Sequence, residues 1–99
     1  MKSLAYHPAA SAELEAEIAF CEAERHGAGS QVRTDIAITL MLIREFPRIG
    51  RRNLAGGQRI VTRHYRYVIH YELLEDKIAV WGIAHPAREP GYWLSRRLP

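Results

Sequence analysis

A single cysteine, Cys21, two lysines, Lys2 and Lys77, and no acidic residue anywhere between positions 48 and 70 mark this 99-residue chain by what is scarce in it. The lone thiol rules out an internal disulfide. His7, His26 and His70 stand at no metal-ligand spacing with one another or with Cys21, so no zinc site and no other cofactor is expected. No apolar run approaches the roughly 20 residues that a membrane-spanning helix needs. The opening Met1-Lys-Ser-Leu-Ala-Tyr-His-Pro8 also lacks the apolar core of a signal peptide, so the expectation is a cytoplasmic protein with no membrane role. With 47% hydrophobic and 25% charged residues, the chain reads as one globular domain spanning 1–99. A compact chain of this length, with a radius of gyration of about 13 Å, has no room for two cores.

The net charge of +3 is unevenly spread. Residues 1–27 hold Glu13, Glu15, Glu17, Glu22 and Glu24 against Lys2 and Arg25, whereas residues 48–70 hold Arg48, Arg51, Arg52, Arg59, Arg63 and Arg66 with nothing to balance them. Such a cluster points to an anionic partner, either a phosphate backbone or an acidic protein surface, with an ordinary solvated face as the plain alternative.

The pattern of residues predicts the order β-α-α-β-β-β followed by a short C-terminal helix. Leu4–Tyr6 is a short strand, and His7-Pro8 opens a helix over Ala9–Arg25, with Leu14, Ile18 and Cys21 on its inner face and Ser11 as a possible later cap. Cys21 reads as a buried structural thiol. Gly27 is the expected left-handed break. A second helix then runs from Ser30 as N-cap to Phe46, stopped by Pro47, with Val32, Ile36, Leu40, Ile43 and Phe46 inward. Its centre is apolar nearly all round, so Ile38, Met41 and Leu42 need a second cover, from this chain's own loops or from a partner. Arg48–Gly57 has no core-like pattern. Arg59–Arg63, Tyr67–Leu73 and Lys77–Ala84 read as strands, with a tight turn at Leu74-Glu75-Asp76 and with Tyr71 and Trp81 in the core. The fold class is α+β, a helical hairpin packed on a largely antiparallel four-stranded sheet.

Function is expected where the last strand delivers the chain into His85-Pro-Ala-Arg-Glu-Pro-Gly-Tyr-Trp-Leu-Ser-Arg-Arg97. Arg59 and Arg63, at alternate strand positions, would project together, or else guard a solvated sheet edge. His64 reads as a solvated turn residue, and His85 either fixes the turn before Pro86 or titrates near neutrality as an acid-base group. Tyr92 and Trp93 would stack on a base or fill a partner's pocket, or one of them, Trp93, would pack back on the core.

The chain resembles the RelE/ParE superfamily of toxins from type II toxin-antitoxin modules over nearly its whole length. The resemblance rests on Pro8-Ala-Ala opening an acidic helix, on Ile43-Arg-Glu-Phe-Pro47, on Tyr65-Arg-Tyr-Val-Ile-His-Tyr71, and on Ala84-His85 leading to Arg88-Glu-Pro-Gly-Tyr-Trp93. It implies a toxin, of the kind associated with plasmid stabilisation, neutralised by a cognate antitoxin in a heteromeric complex; the antitoxin would cover Ile38, Met41 and Leu42. Two targets then compete. A ParE-like toxin acts on DNA gyrase and performs no hydrolysis, and would engage it through Arg59, Arg63, Arg66, Arg88, Tyr92, Trp93, Arg96 and Arg97. A RelE-like toxin cuts messenger RNA in the ribosome, with Arg63, His85, Arg88 and Tyr92 as the catalytic candidates. RelE-like enzymes resemble one another in using lysines as well as arginines and a tyrosine. Here the basic segment has no lysine, and arginine keeps its proton at any working pH. Pro86 and Ala87 also depart from the glycine and second basic residue often seen there, so the ParE-like reading comes first and no catalysis is expected. A relic that only binds its antitoxin is the third reading.

Overall fold

His7 and Pro8 set the start of the first helix in the structure, a computed structural model that describes residues 2–53, 56–89 and 91–97. His7 is extended (φ −63°, ψ 139°), its Nδ1 accepts the Ala9 amide at 3.1 Å, and Pro8 takes the first helical position, where a missing N–H costs nothing. Helix α1 therefore spans Pro8–Glu24, with Ser11 inside it and not at its cap. Gly27 is left-handed at φ 90°, as expected, and α2 follows at once over Ala28–Glu45. Ser30 is thus not the N-cap. Its expected task falls to Glu22 of α1, whose carboxylate accepts the Gly27 and Gly29 amides at 3.1 and 3.0 Å. Val32, Ile36, Leu40 and Ile43 are buried, but Phe46 is 54% exposed, because it caps α2 at φ −128°, ψ 75° and leaves the helical course of the stripe.

Strands β1 (Ser3–Tyr6), β2 (Arg51–Arg52), β3 (Gln58–Val61), β4 (Val68–Leu73) and β5 (Lys77–Ala84) form one sheet in the order β1-β5-β4-β3-β2. β1 runs parallel to β5, which the long helical crossover permits, and the other pairs are antiparallel. The sheet has five strands, not four, since the arginine doublet pairs with β3 through Arg51↔Arg59 and Arg52↔Gln58. β3 ends at Val61, so Arg63 lies in the following turn and does not share a strand face with Arg59. Ile69, Tyr71, Ile78, Val80 and Ile83 join Ala10, Val32, Ile36 and Ile43 in the core between sheet and helices. Each large apolar side chain buried this way stabilises the fold by about 1.5–3 kcal/mol. Cys21 is half-buried, its Sγ 3.5 Å from the Tyr67 hydroxyl.

The far face of the sheet carries a second, smaller layer. A 3₁₀ turn over Leu94–Arg97 folds the C-terminal segment back, and Trp93 is fully buried there with its ring centroid 5.5 Å from that of His70. The β4–β5 register passes from Tyr71↔Val80 to His70↔Gly82, leaving Trp81 without a cross-strand partner, a β-bulge. Trp81 is consequently half-buried and outside the core, its indole N–H donating to Glu72 at 3.1 Å.

Candidate functional site

β1 is short, and its pairing stops at Tyr6↔Val80, so the end of β5 has a free edge. Glu13 of α1 and Arg96 of the tail satisfy it. Glu13 Oε1 accepts the Ile83 amide at 3.1 Å, and Arg96 Nη1 donates to the Trp81 carbonyl at 2.9 Å. The two side chains also bind each other at 2.6 and 3.1 Å, with the Tyr92 hydroxyl donating to Glu13 at 3.2 Å. Burial alone would raise the Glu13 carboxyl, but the Arg96 hydrogen bond and the Ile83 amide outweigh it and hold the group below its ordinary value. Burial, then the Glu13 carboxylate, push the Tyr92 hydroxyl well above its own. Tyr92 lies so close over Gly82 that a Cβ there would collide with its hydroxyl.

This arrangement divides the predicted site residues. Trp93 is inaccessible to any partner, which corrects its placement on a binding surface. Tyr92 and Arg96 are turned to Glu13, and Arg97 donates to Glu72 at 2.6 Å. Arg88 alone of the tail's cations is exposed, its guanidinium carbon 4.2 Å from the Tyr92 ring centroid. His85 Nδ1 accepts the Ala87 amide at 3.3 Å, which fixes the turn through Pro86. His70 is 3% exposed, its Nδ1 is 2.8 Å from Asn53 Nδ2, and burial, with Arg59 nearby, pushes its pKa down to about 4. Among the described residues no three His, Cys, Asp or Glu side chains gather as metal ligands would.

The arginines of the middle segment form a separate surface. Arg51 and Arg59 face each other across β2 and β3, and with Arg66 they line a cleft of about 410 Å³. Arg66 opens this cleft from a strained backbone, φ 63°, in the hairpin loop 63–66. That loop is closed by Thr62 N–H to the Tyr67 carbonyl at 2.8 Å and is anchored to α2 by Asp35, whose carboxylate accepts the His64 and Tyr65 amides at 3.1 and 2.8 Å. Asp35 is itself buried; that burial would raise its carboxyl, but the Tyr65, Thr62 and His64 hydrogen bonds keep it low and charged. Sequence reasoning counted Arg51 in the arginine cluster but did not single out Asp35. The signal for Asp35 was an acid immediately before the apolar stretch of α2.

A third surface is apolar: Ile38, Met41 and Leu42 are 53%, 69% and 37% exposed, and none of the described residues covers them. No helix among the described residues is long and apolar enough to cross a membrane.

The family model described as the ParE toxin of the type II toxin-antitoxin system, parDE, matches residues 4–90. No curated protein is significantly similar to the chain.

Proposed function

The chain belongs to the ParE toxin family of type II toxin-antitoxin systems, and on that premise we propose that it arrests growth by binding DNA gyrase and stalling it, without chemistry of its own. Membership brings a cognate antitoxin as partner. Ile38, Met41 and Leu42 are the surface it would cover, in the cytoplasm, where both partners would act.

The observation that carries the gyrase reading is the state of the acid-base groups. Cleaving RNA needs a group that accepts the 2′-hydroxyl proton and one that protonates the leaving oxygen. Tyr92 is bound to Glu13 with its proton held tightly, His70 is enclosed, and His85, though exposed, has its Nδ1 engaged by the Ala87 amide. The charged groups that face solvent there are mainly guanidinium, on Arg59, Arg63, Arg66 and Arg88, suited to gripping anions and unsuited to accepting protons, with the exposed imidazoles of His64 and His85 beside them.

The test is a supercoiling reaction with purified toxin and gyrase. Loss of supercoiling with accumulation of linear DNA is expected. Unimpaired gyrase together with cleavage of translated messages would replace the reading by the ribosome-dependent nuclease. Healthy growth on induction would leave only antitoxin binding.

A further inference from the structure

We propose that the cleft between Arg51, Arg59 and Arg66 is a binding site for the phosphodiester backbone of duplex DNA, so that the toxin holds the DNA as well as the enzyme that works on it. The second half of that statement rests on the gyrase reading; the DNA site does not. Arg51 and Arg59 are directly opposed in the β2–β3 ladder, a position where like charges repel. None of the three guanidinium groups has a hydrogen bond or ion pair among the described residues, and no acidic side chain lines the cleft. The neighbouring cleft on the same edge is different in kind, because Arg48 and Arg52 there share it with Glu72.

Arg66 adds an independent observation. Its left-handed backbone is disfavoured for a side chain with a Cβ, and such strain persists where the surroundings enforce it, characteristically at binding sites. Here the enforcing group is the buried Asp35 carboxylate, which ties the loop to α2 through two amides. The loop is therefore held before any ligand arrives, and the guanidinium is presented at little further entropic cost.

The ligand class follows from what the cleft contains. Planar guanidinium forks match phosphate oxygens in pairs, and a duplex offers a dense, regular line of phosphates. Sites for single-stranded RNA add aromatic platforms for the bases, and this cleft has none; Tyr92 and Trp93 are engaged with Glu13 and His70. The cleft also holds Ile49, Ile60 and Val61, which an acidic peptide could use beside its charges, so such a peptide is the competing ligand that the experiment must exclude.

The experiment is fluorescence anisotropy of the purified toxin with a labelled duplex of about 20 base pairs and no gyrase present. Three neutralised phosphates predict an affinity that falls about 40-fold between roughly 50 and 200 mM salt. Arg51→Gln/Arg59→Gln should reduce that dependence to about fourfold over the same range. Arg66→Gly suits the left-handed backbone and keeps folding safe; it should weaken binding and flatten the salt dependence in the same sense. Arg33→Gln, whose guanidinium is held by Glu15 at 2.8 Å on the helical hairpin, should change nothing. Absence of duplex binding, binding indifferent to the cleft variants, or preference for single-stranded RNA or a polyglutamate peptide over the duplex would each overturn the proposal. Because gyrase is left out, failure here leaves its inhibition standing, and failure of inhibition leaves the DNA site standing.

Discussion

Glu13 and Arg96 lie 83 positions apart in the chain and meet in a two-point ion pair whose shorter arm is 2.6 Å, with both side chains less than one-fifth exposed. The pair joins α1, the end of β5 and the C-terminal turn. Glu13→Gln should therefore lower stability by about 2 kcal/mol, through an uncompensated guanidinium and a weakened Ile83 amide contact, and urea unfolding would show it. A loss within experimental error would mean the tail is held by Trp93 alone. For the same reason a chain cut after Ala84 tests the fold and not the partner, since it removes Trp93 from beneath His70.

Neutral His70 makes stability depend on pH. Its folded value of about 4 lies below the ordinary 6.5, so on acidification the unfolded chain takes up this proton first. The contribution is complete above about pH 6.5 and is lost as pH falls toward about 4, amounting to on the order of 2 kcal/mol after allowance for solvent screening. Urea midpoints measured at neutral pH and near the lower limit should show this drop in the wild type and a smaller one in His70→Gln. Equal slopes would remove His70 as the cause. Glu13, also held below its ordinary value, adds its own loss in the same direction only at lower pH.

Met41 is 69% exposed on α2, and its removal costs the isolated toxin little. Met41→Glu should shift the monomer's stability by no more than about 0.5 kcal/mol, while antitoxin affinity falls by tenfold or more, at least about 1.4 kcal/mol. Calorimetric titration and thermal melting of the same variant give both numbers. Comparable losses would assign the residue to internal packing.

Tyr92→Phe separates the two modes of action. Its hydroxyl points to Glu13, so a toxin that acts by binding should retain its inhibition of gyrase with a stability loss of about 1 kcal/mol. A nuclease that used this hydroxyl would lose cleavage by orders of magnitude. Arg88→Ala is the companion variant, because Arg88 is exposed and its ring contact with Tyr92 is a surface one. It should reduce inhibition about tenfold with melting almost unchanged. Full potency in that variant would take Arg88 out of the target surface.

Local chemistry made much of the fold legible. Pro8 and Gly27 announce their breaks, the Val32-Ile36-Leu40-Ile43 stripe announces α2, and the branched residues of β4 and β5 announce central strands. Arg51–Arg52 escaped notice as a strand because two residues have no periodicity, and the pairing is closed at its end by the Asn53 amide on the Gly57 carbonyl at 3.0 Å. Ser30 looked like a cap because its type suits one, yet Glu22 on another helix does that work. At the site, the arginine cluster could be read as a charge imbalance. Trp93 could be read as packing back on the core, but the inward turn of Arg96 and Arg97 could not, since it depends on Glu13 and Glu72, which lie far from the tail in sequence.

The parallel pairing of Ser3 with Lys77 has a kinetic meaning. A ribosome must synthesise most of the chain before its first strand finds its neighbour, so the sheet closes late and non-local contacts govern the pace of folding. A newly made toxin should therefore pass through an interval in which α1 and α2 exist and the sheet does not. Stopped-flow refolding that registers helix before burial of Trp93 would reveal that interval, during which an antitoxin acting on α2 would meet a toxin still unarmed.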